Sequence, residues 1–378
     1  MTKEEMYQKH IDAMFGTKNM ETFPDREIEA VFDNLLQCLP NGGKLYKYRN
    51  INDEKSFDLL YKSLQEGTIW SSRVDKFPDK TDCTVNYDPL SDAKSMERLF
   101  RAHPELIVGA VMQTLSKLVG DINPDFDKTM LLRMVDCFDE QSGALIVSKA
   151  LDVFKDYGCD PRESIVAIIG LQDDIYRILK DEEGLIKDIA KQFLSFNQIN
   201  RHNAFVCSLC EDYKVKTMWE HYAGNSGICI EYDYNKIKIF ELKDKSFFCS
   251  TYKIIYADQY EENTIVPLLE EYLRCKGSKS TNNELNAKLL LSMITKSSDY
   301  SYEKEWRTFH FNLSPTDDGF AIKADIVSGI IFDEHAIESQ NGKKLLELCK
   351  QKGWDIKVRK LNCTSTKYDF IDYEDYQH

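Results

Sequence analysis

Residues 218–233 read MWEHYAGNSGICIEYD, and this stretch decides how the surrounding chain folds. Its last six residues alternate, with Ile228, Ile230 and Tyr232 on one side, which predicts a core strand. The Gly-Asn-Ser-Gly run before them indicates a tight turn, because glycine and asparagine accept positive φ angles. The stretch therefore predicts an aromatic-rich turn or short helix that leads directly into a core strand.

Strand and helix patterns continue on both sides of this stretch. Residues 44–50 and 68–72 predict two strands around a helix that Asn52 or Asp53 would cap and Gly67 would end. Further strands are predicted at 204–209, 249–256, 305–312, 326–332 and 354–359, with helices before residue 38 and at 343–350. The mixture predicts an α+β fold with short, mostly antiparallel strands.

The segment from about residue 92 to 198 differs in character from the rest. Apolar residues recur there every three or four positions, which predicts a helical insertion that serves as a lid or a partner surface. The predicted organisation is N-terminal helices and first strands of the core domain at 1–91, the insertion at 92–198, and the remainder of the α+β core at 199–378.

The bulk composition narrows the classes of function. The 378 residues carry a formal net charge of −14 and 11 cysteines. This charge disfavours nonspecific binding of nucleic acid, which needs many lysines and arginines on one face. The N-terminus shows no secretory signal, and no apolar run approaches the ~18 residues that a membrane span needs. We therefore expect a reduced, cytoplasmic protein that does not cross a membrane.

Several motifs together resemble a prokaryotic family of unknown function whose members often lie near mobile elements and defence genes. They are MWxxYA and GICIxYD within 218–233, LYKYR at 45–49, IWSSR at 69–73, FPDKTDC at 77–83 and YEKEWR at 302–307. The family usually has a phenylalanine-asparagine-aspartate-proline run where this chain has Phe77-Pro78-Asp79. The resemblance implies a place near defence systems but no established activity.

Glu303 and Glu305 are the candidate catalytic residues. Residues two apart on a strand face the same side, so both carboxylates would enter one cleft. This pair, with an aromatic residue just ahead of it, is similar to the ADP-ribosyltransferase superfamily. There, one glutamate hydrogen-bonds the nicotinamide ribose and favours an oxocarbenium-like cation. The alternative is a solvated edge on which Arg307 pairs with one of the carboxylates.

The same resemblance implies a binding site for NAD. Its candidate residues are Arg49, Tyr48, Ser71, Trp219, Tyr222 and His221. Arg49 ends an early strand and would bind the diphosphate in bidentate geometry, while Ser71 and Tyr222 would frame the nicotinamide. The alternative places Arg49 in a structural ion pair and the aromatic residues in the core.

Metal and thiol chemistry are weaker candidates. His202, Cys207, Cys210 and His221 have metal-ligand chemistry, but a strand at 204–209 would point the two cysteines to opposite faces, so no metal site is predicted. Cys229 or Cys207 beside His221 could form a nucleophile. Buried cysteines more often behave as small hydrophobic residues. The sequence also lacks the glycine motifs of P-loop and Rossmann proteins.

These resemblances imply an NAD-dependent ADP-ribosyltransferase-like effector, with a role in phage defence, in which Glu305 stabilises the developing ribosyl cation. Its small-molecule partner would be a nucleotide, and the macromolecular acceptor stays open. Two other functions also stay open. One is a non-enzymatic nucleotide or small-ligand sensor or interaction module. The other is a metal-dependent nuclease that uses Asp79 and Asp82.

Overall fold

The computed structural model describes residues 2–16, 25–79, 82–84, 145–166, 201–224, 226–242, 245–257, 293–311, 318–362 and 367–378, with residues 133, 137, 168–169, 198 and 290–291. The chain divides into two compact units. One consists of residues 1–84, 198–260 and 282–378, and the other of residues 85–197 and 261–281. Most of the segment predicted as a helical insertion lies outside the described residues, so its boundaries stay a prediction.

The described helices are α1 (Lys3–Gly16), α2 (Asp25–Cys38), α3 (Glu54–Glu66), α4 (Val147–Asp156), α5 (Lys216–His221), α6 (Lys245–Cys249), α7 (Glu334–Glu338), α8 (Gln340–Lys352) and α9 (Tyr373–Tyr376). The strands are β1 (Lys44–Arg49), β2 (Thr68–Arg73), β3 (Ala204–Cys210), β4 (Ile228–Asp233), β5 (Thr251–Lys253), β6 (Ile255–Ala257), β7 (Thr295–Ser297), β8 (Glu305–Phe311), β9 (Gly319–Lys323), β10 (Val327–Asp333), β11 (Asp355–Leu361) and β12 (Tyr368–Asp372). A 3-10 helix, Ser298–Glu303, comes directly before β8.

Ten of these strands form one sheet. Its main order is β12-β11-β10-β4-β1-β3-β2-β9, and β8 pairs with both β3 and β5. Among the described strands, the sheet is antiparallel except for the pair β10–β11, and β6 and β7 form a separate parallel pair. The structure therefore confirms an α+β fold with mostly antiparallel strands.

The sheet splits where β1 and β2 meet the same edge of β3. β8 pairs with the full length of β3, from Ala204 to Cys210, so β1 and β2 must share the other edge. β1 pairs with that edge at Tyr46–Cys210, and β2 pairs with it at Val206 and Phe205. Beyond these points β1 follows β4 and β2 follows β9, so an opening forms opposite residues 207–209. We call this opening the split.

The main core covers one face of the sheet at β1 and β4. Leu35 of α2, Phe57 of α3 and Leu345 of α8 pack there with Leu45 and Ile230 of the sheet, each at most 1% exposed. Complete burial of side chains of this size stabilises the fold by about 1.5–3 kcal/mol each. A smaller cluster around Trp219 of α5 lies on the other face, and it includes Tyr46 and Tyr48.

The stretch at residues 218–233 folds as the sequence predicts, with α5 leading through a turn into β4. Gly224 has a φ of +64°, which glycine adopts without strain. A Cβ on Gly227 would clash with the carbonyl oxygens of Arg49 and Ala223, which are backbone atoms that cannot easily move away. Glycine is therefore required where α5, β1 and β4 come together.

Local end signals also set the early helix. The Asp53 side chain accepts a hydrogen bond from the Ser56 amide at 2.8 Å and caps α3, and Gly67 ends this helix with a φ of +65°.

The single strand predicted at 249–256 is wrong, because Cys249 still belongs to α6. The rest of that stretch divides into β5, which joins the main sheet, and β6, which pairs with β7. Within the described part of the chain, no helix has the length and apolar character to cross a bilayer.

Candidate functional site

A cavity of about 390 Å³ lies at the split and extends toward β8. The described residues that line it are 46–49, 72, 77–79, 82, 206, 208–210, 218, 222, 296, 300, 303, 305 and 307. Its charged lining residues are Lys47, Arg49, Lys296, Arg307, Asp79, Asp82, Glu303 and Glu305. The cavity thus has equal numbers of cationic and carboxylate side chains in a strongly acidic protein.

Arg307 binds two carboxylates at once on the β8 side of the cavity. Its Nη1 and Nη2 donate to the two oxygens of Asp82 at 2.7 and 2.8 Å, and its Nε and Nη2 donate to those of Glu305 at 2.7 and 2.9 Å. Glu305 and Arg307 are two residues apart on β8 and therefore share a face. Because Arg307 is only 1% exposed, these charge-assisted bonds form in a dry environment.

Lys296 joins the carboxylates into one network. Its Nζ donates to Glu303 Oε2 at 2.6 Å and to Glu305 Oε2 at 3.4 Å, and it lies 4.0 Å from Asp82 Oδ2. The same Nζ lies 4.6 Å from the centre of the Tyr300 ring. Sequence patterns assign Lys296 no role, because a lysine in a three-residue strand carries no recognisable spacing signal.

Glu303 reaches this network by a different route from the predicted one. The expectation that both glutamates lie on one strand is wrong, because Glu303 ends a 3-10 helix and Lys304 turns the chain with a φ of +44°. The two carboxylates nevertheless meet at Lys296. Tyr222 donates its hydroxyl to Glu303 Oε1 at 2.7 Å, which ties α5 to the same network.

The two glutamates titrate in opposite directions. Burial opposes ionisation of Glu305, but the charge and hydrogen bonds of Arg307 outweigh it and hold the pKa of Glu305 well below its usual range. Burial raises the pKa of Glu303, and the nearby Glu305 carboxylate adds to this increase, although Lys296 opposes it. Glu305 is therefore firmly ionised, whereas Glu303 ionises more readily when a positive charge lies nearby.

The β1 side of the cavity carries cations without carboxylate partners. Lys47 Nζ donates to Cys207 Sγ at 3.2 Å and to the Trp70 carbonyl oxygen at 3.4 Å. The side chain of Arg49 makes no hydrogen bond or ion pair with any described residue, so the alternative of a structural ion pair is not seen there. The charge of the cavity is therefore polarised between its two sides.

Strand register assigns Arg49 and Glu305 to opposite faces of the sheet. Tyr46 pairs with Cys210, and Cys210 pairs with Glu305, so these three side chains share a face. Arg49 lies three residues after Tyr46 on a regularly paired strand, so its side chain points to the other face. Both residues still line the cavity, since the split opens the sheet between them.

The remaining predicted binding residues lie at different distances from the cavity. Tyr48 lines it, but its hydroxyl donates to the Asp212 carbonyl oxygen at 2.8 Å. Ser71, Trp219 and His221 are not among the described lining residues. Ser72 lines the cavity in place of Ser71, because adjacent strand residues point to opposite faces.

Trp219 and His221 make their own contacts outside the cavity. Trp219 is fully buried, donates its Nε1 to the Tyr213 carbonyl oxygen at 2.8 Å, and lies 4.7 Å from the Arg359 guanidinium. His221 is exposed, and its Nδ1 lies 3.5 Å from the Tyr302 hydroxyl. These contacts indicate that Trp219 has a structural role.

The cysteine and histidine candidates do not come together. Cys207 contacts Lys47, whereas Cys210 donates to the Asp212 carbonyl oxygen at 3.1 Å on the other face. His202 binds Asp75 at 3.0 Å. In the described ranges, no group of three or more histidine, cysteine or acidic side chains is arranged to hold a metal ion. Burial raises the pKa of the Cys229 thiol well above its ordinary value, which disfavours a thiolate nucleophile.

Comparisons with known proteins find a family model that matches part of the chain. Residues 218–308 match the model of a family described as protein of unknown function (DUF2971). The match begins at the stretch that leads through α5 into β4 and includes Lys296, Glu303, Glu305 and Arg307. It supports the predicted resemblance to a family of unknown function. No curated protein and no solved structure matched the chain.

Proposed function

We propose that the cavity binds NAD and that the protein transfers the ADP-ribose group of NAD to an acceptor. The supporting observation is the polarity of the cavity. Lys47 and Arg49 line the β1 side without carboxylate partners among the described residues, whereas Glu303 and Glu305 line the other side. NAD carries negative charge on its diphosphate and positive charge on its nicotinamide ring, so its two charges match the two sides.

The volume of the cavity sets which part of NAD it would enclose. At about 390 Å³ it lies near the lower end of the ~300–1,000 Å³ usual for small-molecule sites. We expect the nicotinamide, its ribose and the diphosphate to occupy the cavity and the adenosine to lie outside it. Arg49 then binds the diphosphate, for which its planar guanidinium is suited. Tyr222, 46% exposed, presents its ring beside the nicotinamide.

The carboxylates act on the glycosidic bond. This bond joins the nicotinamide nitrogen to ribose C1′, and when it breaks its electron pair leaves with nicotinamide. Positive charge then develops on C1′ and the ring oxygen, and a preorganised negative charge stabilises it. A nucleophile on the acceptor attacks C1′ and loses its proton. Glu303 is the nearer match to this role, because a cation beside it favours its ionised form.

Glu305 has a second task in this proposal. Arg307 and Lys296 already bind its two oxygens, so it holds both cations in place. It therefore adds negative potential and positions Lys296 against Glu303. The role predicted for Glu305, which is to stabilise the ribosyl cation, is in this proposal shared between the two glutamates.

The engagement of Glu305 by Arg307 favours one other candidate, a nucleotide or small-ligand sensor without catalysis. In that case Arg49 binds a ligand, and the carboxylate network only supports the fold. The geometry gives less support to a nuclease, because Arg307 binds both oxygens of Asp82 that a metal ion would need. A role in antiviral defence rests on the motif resemblance alone.

Purified protein incubated with labelled NAD and cell extract tests the proposal. We expect label transfer and nicotinamide release with the wild type, and a loss of about 10²-fold or more in Glu303→Gln. The exposed Glu347→Gln of α8 is the control for loss of a charge. NAD binding without nicotinamide release would favour the sensor. Activity of Glu303→Gln at the wild-type rate would contradict the assigned role.

A further inference from the structure

Lys47 occupies an unusual position for a lysine, in a cavity wall with no carboxylate beside it. Among the described residues, its Nζ donates only to the Cys207 thiol at 3.2 Å and the Trp70 carbonyl oxygen at 3.4 Å. Neither partner offers the full negative charge that stabilises a half-buried ammonium ion. The surroundings of Lys47 therefore favour the uncharged amine.

Arg49 strengthens this effect. It follows Lys47 by two residues on β1, so both side chains leave the same face about 7 Å apart. Burial has the largest effect and lowers the pKa of Lys47, and the positive charge of Arg49 lowers it further, while Cys207 and Glu305 act in the opposite direction. Lys44 provides the contrast on the same strand: it binds Glu231 at 2.6 Å, and this bond raises its pKa.

We propose that Lys47 is a covalent binding residue whose amine condenses with the aldehyde of a ring-opened ribose 5-phosphoryl group, while Arg49 binds the phosphate. An amine reacts with carbonyl compounds, and a guanidinium selects phosphate. The five-carbon chain of an open ribose separates its C1 aldehyde from its phosphate by a distance similar to that between neighbouring side chains on one strand face. ADP-ribose carries this group when water is the acceptor, because C1′ then keeps a free hydroxyl and the ring can open, so the inference rests on the proposed function for its natural ligand.

The reaction needs no oxidant or metal. The lone pair of Lys47 Nζ attacks the aldehyde carbon, and a C–N bond forms while a proton passes from nitrogen to the carbonyl oxygen. Loss of water from this carbinolamine gives the imine. One amine and one aldehyde thus yield one imine and one water molecule. The reversible bond would retain the released sugar phosphate in the cavity.

Reductive trapping tests the inference on the full-length chain. The protein is incubated with ribose 5-phosphate and cyanoborohydride at pH 7, and labelled lysines are located by peptide mass spectrometry. A lower pKa leaves a larger fraction of an amine neutral at pH 7, so we expect several-fold more label on Lys47 than on Lys44. Lys47→Arg should lose this label, and Lys44→Arg should keep it.

The second part of the test measures how labelling of Lys47 depends on the phosphate of the sugar. Ribose without phosphate should label Lys47 at least tenfold less than ribose 5-phosphate does, and Arg49→Met should abolish that difference. Equal labelling of Lys47 and Lys44, or equal labelling by the two sugars, would overturn the inference. If Lys47→Arg does not fold, the pH dependence of Lys47 acetylation in the wild type decides, because an ordinary lysine pKa contradicts the inference.

This test separates the inference from the proposed function. Trapping of ribose 5-phosphate on Lys47 in a protein that consumes no NAD would support the covalent site and contradict the transferase. NAD consumption without trapping on Lys47 would support the transferase and contradict the covalent site. The trapping result therefore decides the covalent site, and NAD consumption decides the transferase.

Discussion

Arg49 and Glu305 line one cavity from opposite faces of the same sheet. This relationship follows from the register of β1, β3 and β8, in which Glu305 shares a face with Tyr46 while Arg49 lies on the other. An intact sheet would separate the two residues completely. The split between β1 and β2 makes their common cavity possible, so a ligand that contacts both must pass through it.

The ion network around Arg307 should be a major source of stability. In Asp82→Asn, Arg307 loses one of its two charged partners while remaining 1% exposed. Breaking a buried ion pair in this way costs about 3–5 kcal/mol, which chemical denaturation would measure as a lower free energy of unfolding. Asp318→Asn is the control, because Asp318 pairs with Arg73 but is 70% exposed, and its loss should cost about 1 kcal/mol or less. Equal effects of the two variants would show that the network contributes little.

Trp219 should act on stability rather than on ligand binding. Its indole is fully buried between Tyr48 and Arg359, so Trp219→Ala should lower the free energy of unfolding by about 3–5 kcal/mol. The exposed Trp70 is the control, since Trp70→Ala removes the same side chain from the surface. If a Trp219→Phe protein folds normally but loses nucleotide affinity, Trp219 belongs to the binding site and the prediction is wrong.

Substitutions of the neighbours Ser71 and Ser72 should affect different properties of the protein, namely stability for Ser71 and NAD binding for Ser72. The Ser71 hydroxyl is buried without a partner among the described residues. Ser71→Ala removes its desolvation cost and should leave the free energy of unfolding unchanged or raise it by about 1 kcal/mol. Ser72→Leu places a larger side chain in the cavity and should weaken NAD binding at least tenfold. Calorimetric titration of both variants checks this, and loss of binding in Ser71→Ala alone would reverse the assignment.

His10 should make the protein sensitive to mild acid. Burial lowers its pKa from 6.5 to about 4, so the folded protein excludes a proton that the unfolded chain binds. His10 therefore costs no stability above pH 6.5, and the free energy of unfolding should fall as the pH drops from 6.5 toward 4. Melting temperatures at pH 7 and pH 5 measure the effect. His10→Phe keeps a ring in the core and should show a smaller difference between the two pH values, while an unchanged difference would exclude His10 as the cause.

The local elements were predictable, since their signals lie in adjacent residues. Asp53 and Gly67 mark both ends of α3, and the alternation of residues 228–233 gives β4. The network at the site was only partly predictable. Glu303 and Glu305 are recognisable as a pair, but the positive φ of Lys304 that brings them together has no sequence signature.

The positions of Lys296 and Arg49 depend on long-range pairing. Lys296 meets the glutamates because the chain brings β7 and the 3-10 helix beside β8. Arg49 and Glu305 were predicted to belong to one NAD site, and only the register through β3 reveals that they lie on opposite faces of the sheet. Period-2 alternation fixes faces within one strand, but it cannot relate the faces of strands that are not yet paired.

Calorimetric titration of NAD into the wild type and Arg49→Met tests the central claim most directly, with Glu347→Gln as the control. If the split forms the binding site, the wild type and Glu347→Gln bind NAD with the same affinity. Arg49→Met should then bind at least tenfold more weakly, because the diphosphate loses its guanidinium partner. Absence of binding by the wild type, or equal affinity of wild type and Arg49→Met, would contradict the account.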